Sequence, residues 1–170
     1  LEQWFIPQVD AMITVSPSIR EWYMQRFPRV PVTLVRNIPH TPEFKVAPVP
    51  LRERLGVHDE ALLFIYLGGL GRGRGIEIAL KAFSDVRVQH HVLFMGSGPL
   101  QYKIDAASSH CSRIHYLPPV SPSQVLAYAA GADVGLCLYE DTCLNHRYCM
   151  PNKLFESLLA GLPVLASDLP

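Results

Sequence analysis

Two short stretches hold the residues with the most chemistry to offer. Residues 68–75, GGLGRGRG, place Arg72 and Arg74 among glycines that include Gly69 and Gly71. Residues 151–156, PNKLFE, bring Asn152, Lys153, Leu154 and Glu156 together at what reads as the start of a helix. Glycines let backbone approach a ligand closely, and arginine offers forked, always-charged donors that match a diphosphate. In the second stretch Pro151 fixes the approach and Asn152 can cap the helix. A helix N-terminus presents open N–H groups and partial positive charge, and Lys153 adds a full charge, so this end suits a phosphate. Glu156, one turn deeper, can accept hydrogen bonds from ribose hydroxyls. Each stretch also has a plain reading. The first is equally a flexible turn with solvated arginines, and the second a surface Lys–Glu pair of little energetic weight.

Two further loops carry weaker signals. MGSGP, residues 95–99, sets Gly96 and Gly98 in a tight turn with Pro99 suited to open the next helix. Residues 139–152, YEDTCLNHRYCMPN, form a long polar loop in which Asn145, His146 and Arg147 are candidates for contacting a sugar. Cys143, His146 and Cys149 match no common zinc spacing, and no metal site is expected.

The elements that must position these loops alternate regularly. Strands are expected at 62–67, 92–95, 114–117, 134–138 and 164–166. Helices between them are marked by Ile76, Ala79, Leu80, Phe83 and Val86, and by Leu100, Ile104 and Ala107. Ser121 and Gln124 suggest a capping box for a third helix that Gly131 ends. Phe155, Leu158, Leu159 and Leu162 give the last helix the apolar stripe needed to lie on a sheet, with Asn152, Lys153 and Glu156 on its polar side and Gly161 ending it. Such alternation predicts an α/β fold, a Rossmann-like parallel sheet with helices on both faces, its ligands at the carboxyl ends of the strands. Residues 1–40 differ. A helix end at 1–6, a strand at 11–15, a helix opening at Ser16-Pro17 and a strand at 32–35 lead into residues 41–50, which read as a proline-rich linker.

Bulk properties narrow the function. Fifteen basic and fifteen acidic residues cancel across 170 positions, which leaves no electrostatic footprint for nucleic acid. No apolar run approaches transmembrane length. Charged residues make up 18%, below the roughly 25% of an average soluble chain, which suggests a face covered by another part of a longer protein. The chain is therefore expected to be a fragment, truncated at its C-terminus. Without a CxxC pair, reduced cysteines in a cytoplasmic protein are the simplest account of the four present.

Taken in order, VDAMITVS at 9–16, LVRN at 34–37, LGGLGRGRGIEIALKAF at 67–83, VLFMGSGP at 92–99, AGADVGLCLY at 130–139 and PNKLFESLLAGLPVLASD at 151–168 resemble the C-terminal donor-binding half of the family-4 retaining glycosyltransferases, of GT-B architecture. The resemblance implies that residues 1–40 are the end of the N-terminal acceptor domain and crossover, and 51–170 the nucleotide-sugar donor domain. It implies a UDP- or GDP-linked sugar as substrate with no further cofactor, and glycosyl transfer in polysaccharide or glycoconjugate synthesis. A saccharide or lipid-linked acceptor would be held by the missing N-terminal domain. The full-length protein would be cytoplasmic or peripheral at the inner membrane face. Arg74, Lys153 and Glu156 would be the catalytic residues. Gly69, Gly71, Arg72, Gly96, Gly98, Asn145, Asn152 and Leu154 would line the donor site. Two departures stand out: Gly69 occupies the place of the family's arginine, and Tyr148 the place of the first of its two glutamates. The same architecture also serves nucleotide-sugar 2-epimerases, and Tyr148 leaves open a non-catalytic docking module.

Overall fold

The computed structural model describes residues 1–39 and 47–170. In chain order the elements are α1 (Glu2–Phe5), β1 (Met12–Thr14), α2 (Pro17–Arg26), β2 (Val32–Leu34), α3 (Leu51–Leu55), β3 (Leu63–Leu67), α4 (Ile76–Ser84), β4 (His91–Met95), α5 (Gln101–Ser108), β5 (Ile114–Leu117), α6 (Val125–Ala129), β6 (Val134–Cys137), α7 (Leu144–Arg147), α8 (Asn152–Leu159) and β7 (Val164–Ala166). Most of the expected linker, residues 41–46, lies outside the described residues.

The chain forms two compact units. The first comprises residues 1–38, 141–150 and 168–170. In it β1 and β2 pair in parallel, and α2 is capped by Ser16, whose Oγ accepts from the Ile19 N–H at 3.3 Å. The second unit holds a five-stranded, all-parallel sheet in the order β5-β4-β3-β6-β7. Its central strands bury alternate side chains on opposite faces. Tyr66, Val92 and Phe94 pack with Ile76, Ala79 and Phe83 of α4, and Leu63, Ile65 and Leu93 pack with Leu51 of α3 and Ala129 of α6. Apolar residues on both faces of one strand require helices on both sides, which is the layered arrangement the alternation predicts.

Several local expectations need correction. The Ser121–Gln124 capping box does not form. Ser121 Oγ donates to Gln124 Oε1 at 2.9 Å, and the helix starts later, at Val125. Helix α4 ends at Ser84, so Val86 is 80% exposed instead of joining its apolar face. Helix α3 was hidden in the sequence by the prolines before it. Strand β7 lies at the sheet edge with Leu165 52% exposed, so it lacks the double cover its apolar run suggests. The loop after β6 contains a helical turn, α7.

The reading of helix α8 fails at Leu158 and Lys153, while Leu162 joins the core as expected and Phe155 and Leu159 are half-buried. Leu158 is 55% exposed, while Lys153 and Ser157, four residues apart, are buried. The reason is close packing on β6. A Cβ at Gly135 would lie 2.4 Å from Ser157 Oγ, so this glycine lets the small, polar side of the helix rest on the strand. Ser157 Oγ is satisfied by donating to the Lys153 carbonyl at 2.8 Å. Past the end of the helix, Gly161 takes φ 81°, Leu162 N–H reaches back to the Ser157 carbonyl at 3.0 Å, and Gly161 N–H to Leu158 at 3.0 Å, a Schellman closure.

Candidate functional site

The strand order of the second unit reverses between β3 and β6, so the loops after these strands flank the crevice where open parallel sheets bind ligands. Residues 68–75 follow β3. Gly96 is required there by packing: a Cβ on it would stand 1.8 Å from the Gly68 carbonyl oxygen. At Gly98 the same atom would stand 2.5 Å from the Leu70 carbonyl oxygen, and Leu70 N–H donates to the Ser97 carbonyl at 2.9 Å. These glycines seat one loop on the other, and between them lies a groove of about 120 Å³. It is lined by Leu67, Gly68, Met95, Gly96, Pro119, Val120, Val125 and Glu156. Burial raises the Glu156 carboxyl above the usual carboxylate range, with Lys153 opposing.

Arg74 and Lys153 converge. The Arg74 guanidinium lies 6.0 Å from the centre of the Tyr139 ring, and Lys153 Nζ lies 5.4 Å from the same centre. Lys153, only 6% exposed, also sits 3.4 Å over the ring of fully buried Tyr66. The Tyr66 hydroxyl donates to the Gly69 carbonyl at 2.9 Å, so one side chain braces the glycine loop and supports the ammonium. Burial pushes the Tyr66 phenol well up, Tyr139 adding and Arg74 opposing. Two cations gathered on two aromatic rings at the mouth of a sheet form an anion-receptive corner.

The sequence model of glycosyl transferases group 1 matches residues 61–170, well over half of the chain. The chain belongs to this family. No curated protein matches it. Among solved structures it is similar to Anabaena Alr3699/HepE in complex with UDP and glucose, at 17% identity and TM-score 0.74, over 95% of this chain and 45% of that one. It is also similar to sucrose-phosphate synthase from Thermosynechococcus elongatus, at 20% identity and TM-score 0.76, over 99% and 43%. A third neighbour is WaaG, a glycosyltransferase involved in lipopolysaccharide biosynthesis, at 14% identity and TM-score 0.63, over 92% and 44%. The chain thus spans under half the length of these neighbours, and its sheet with flanking helices matches the GT-B glycosyltransferase fold.

In this group 1 chain the residues singled out by sequence divide into three sets. Arg74, Lys153, Glu156, Gly69, Gly71, Gly96 and Gly98 lie in the second unit around the two loops just described. The Gly69 position has a geometric answer. A Cβ there would fall 2.7 Å from Arg74 Nη1, and one at Gly71 would fall 3.7 Å from the Arg74 chain, so Arg74 folds back across both glycines into space a side chain at 69 would need. Arg72 goes elsewhere. It is exposed and its charge acts on Glu77, whose carboxyl is held down chiefly by its hydrogen bond from Lys103. Asn152 does not cap α8. Pro151, extended at φ −78° and ψ 141°, takes the cap position, and Asn152 becomes the first helical residue. Leu154 is half-buried, and its N–H donates to the Pro151 carbonyl at 3.1 Å.

Asn145 belongs to the first unit. There it lines a cleft of about 530 Å³ with Glu2, Trp22, Tyr23 and Tyr148, the Tyr23 hydroxyl donating to Glu2 at 2.9 Å. His146 Nδ1 meets Thr142 Oγ1 at 2.8 Å, and Arg147 pairs with Asp141 at 3.1 Å. Among the described residues no cluster of His, Cys, Asp or Glu is arranged to hold a metal.

Sequence reasoning missed Tyr66 and Tyr139, and offered Glu140 only as one of three candidates, with Asp141 and Asn145, for a carboxylate contact to the donor sugar. A signal existed for Tyr66, since a hydroxyl in the otherwise apolar strand LLFIYL must find a partner when buried. Tyr139 and Glu140 stand directly beyond the end of β6, at the reversal of strand order, but only the topology shows that place to be special.

Proposed function

We propose that this chain is the donor-binding half of a retaining, family-4-type glycosyltransferase. Residues 1–40 are then the end of the acceptor domain and crossover, 41–50 the linker and 51–170 the donor domain. The observation that carries this is the convergence of Arg74 and Lys153 on Tyr139, at the strand-order reversal, beside a groove bearing Glu156. Family membership and the UDP held by the HepE neighbour support a nucleoside diphosphate sugar as the ligand. In this reading Glu156 takes the ribose hydroxyls and the Pro119–Val120 wall takes the base.

The leaving diphosphate gains negative charge as the glycosidic bond breaks. In this reading Arg74, Lys153 and the first turn of α8 stabilise it from fixed positions, with no reorganisation at the moment of reaction. The acceptor is a saccharide or lipid-linked saccharide held by the other domain, and the product belongs to polysaccharide or glycoconjugate synthesis. The whole protein works in the cytoplasm or at the inner membrane face. The 170-residue chain by itself binds nucleotide and transfers nothing.

Calorimetric titration with UDP and GDP tests the reading. Binding at millimolar affinity or tighter, weakened about tenfold or more by Arg74→Ala and by Glu156→Ala, is expected for a diphosphate and a ribose contact. A folded chain that binds neither nucleotide refutes it and favours a docking module.

A further inference from the structure

The turn that carries Arg74 is fastened to the segment beyond β6 at three points. Glu140 N–H donates to the Gly73 carbonyl at 3.0 Å. Gly75 N–H donates back to Glu140 Oε1 at 3.2 Å. Between these, Gly75 packs so tightly that a Cβ on it would lie 2.3 Å from the Leu138 carbonyl oxygen. Arg74 is the residue enclosed by the two bonded glycines, and its guanidinium turns over Tyr139, the neighbour of Glu140.

The same geometry explains how α4 begins. Its cap position is Gly75 at φ 74°, which has no side chain to accept a hydrogen bond. The Glu140 carboxylate, from another loop, accepts the N–H of this cap residue, the bond that a glutamate three residues into the helix makes in a capping box, with the charge favoured at a helix N-terminus. Loops on either side of a strand-order reversal tend to part, so a bond pair that spans it sets how far apart they stand.

We propose that Glu140 is a positioning residue for the donor site, fixing the 73–75 turn so that Arg74 is presented preformed to the diphosphate. This rests on the nucleotide reading given above. Glu140 acts through the backbone of Gly73 and Gly75 and does not itself touch the donor. Holding a charged donor group in place before binding removes the ordering cost that a free turn would charge against each binding event.

Three readings on Glu140→Ala, Glu140→Gln and the double variant Arg74→Ala/Glu140→Ala test this. Amide exchange followed by NMR is expected to show faster exchange at Gly75 in Glu140→Ala and near-parent exchange in Glu140→Gln, whose amide oxygen can still accept. Affinity for UDP is expected to fall about tenfold in Glu140→Ala while affinity for uridine changes less than about twofold, because uridine carries no phosphate for Arg74 to meet. Adding Glu140→Ala to Arg74→Ala is expected to cost nothing further, since a residue acting through another is silent once that one is gone. Independent, additive losses would overturn the proposal, as would parent-like Gly75 exchange or an equal loss for uridine. If the parent chain fails to bind UDP, the nucleotide reading falls, and the Gly75 exchange alone still decides whether Glu140 holds the turn.

Discussion

Replacing Lys153 by Met should separate binding from stability. The side chain is 6% exposed, and its ammonium rests 3.4 Å over the Tyr66 ring. That contact is worth ~0.5–2 kcal/mol, whereas withdrawing an ammonium from water costs several kcal/mol before its partners compensate. Methionine has nearly the same length, no charge and a flexible stem that fills the same slot. Losing the contact together with the larger desolvation cost should leave stability unchanged or raise it by up to ~2 kcal/mol, a rise of roughly 4–8 °C in Tm for a chain of this size. Nucleotide binding should respond very differently. A charged hydrogen bond to a phosphate contributes ~1.5–3 kcal/mol, so UDP affinity should drop roughly 10- to 150-fold. Uridine affinity should stay within about twofold. Thermal unfolding and calorimetric titration of the two proteins side by side measure both quantities. A fall in Tm of more than roughly 8 °C with unchanged UDP affinity would mean that the ammonium is a structural element and that the anion corner is misassigned.

Three other outcomes follow from the packing. Gly75→Ala should destabilise by ~2 kcal/mol or more, read by chemical denaturation, because the position combines φ 74° with a Cβ site 2.3 Å from backbone; a loss under ~0.5 kcal/mol would show that the 73–75 turn is not held against Leu138. Tyr66→Phe should keep the ring beneath Lys153 but lose the bond to the Gly69 carbonyl, costing ~1 kcal/mol in the same assay. His115, stacked on His91 with their nitrogens 2.9 Å apart, is depressed to about 4 by burial first and His91 second. A depressed histidine favours the neutral, folded form, so its stabilisation is complete above about pH 6.5 and is lost as pH falls toward 4. The full shift corresponds to ~3 kcal/mol, and solvent access to the partly exposed ring reduces this to ~1–2 kcal/mol; His115→Gln should flatten the acid limb of a stability–pH profile.

The alternation of strands and helices was legible because each strand of the larger sheet is an apolar run and each helix a spaced stripe. A parallel sheet was also implied by the βαβ rule, and with it the end of the sheet where a site belongs, but not the strand order. Most of the misses depend on a partner distant in sequence, the Ser121–Gln124 pair being local. Ser121 and Gln124 have the letters of a capping box, yet nothing local says that their side chains bond each other instead of the backbone. Gly96 and Gly98 read as a turn, but what fixes them is the backbone of Gly68 and Leu70 nearly thirty positions earlier. Arg72 and Arg74 were separated only by the resemblance. Their placement along the turn leaves Arg72 exposed and sends Arg74 across Gly69 and Gly71.

The inward lysine of α8 is the most informative of these differences. A helix laid on a sheet normally turns its leucines inward, yet here Leu158 faces out, Lys153 is buried with its ammonium over Tyr66 of β3, and Ser157 packs on Gly135 of β6. Burying an ammonium and thinning the contact with Gly135 both work against stability, and a chain selected only to fold would place alanine and leucine at those positions. Local rules tend to fail where a site needs them to, with the surrounding structure compensating. Here the compensation is visible: the Tyr66 ring under the ammonium, and its hydroxyl tied to the loop that carries Arg74. On the proposed donor-site reading, the inward lysine marks that site more sharply than any loop motif. A neutral residue at 153 that raised stability and left UDP binding intact would remove the reason for this packing.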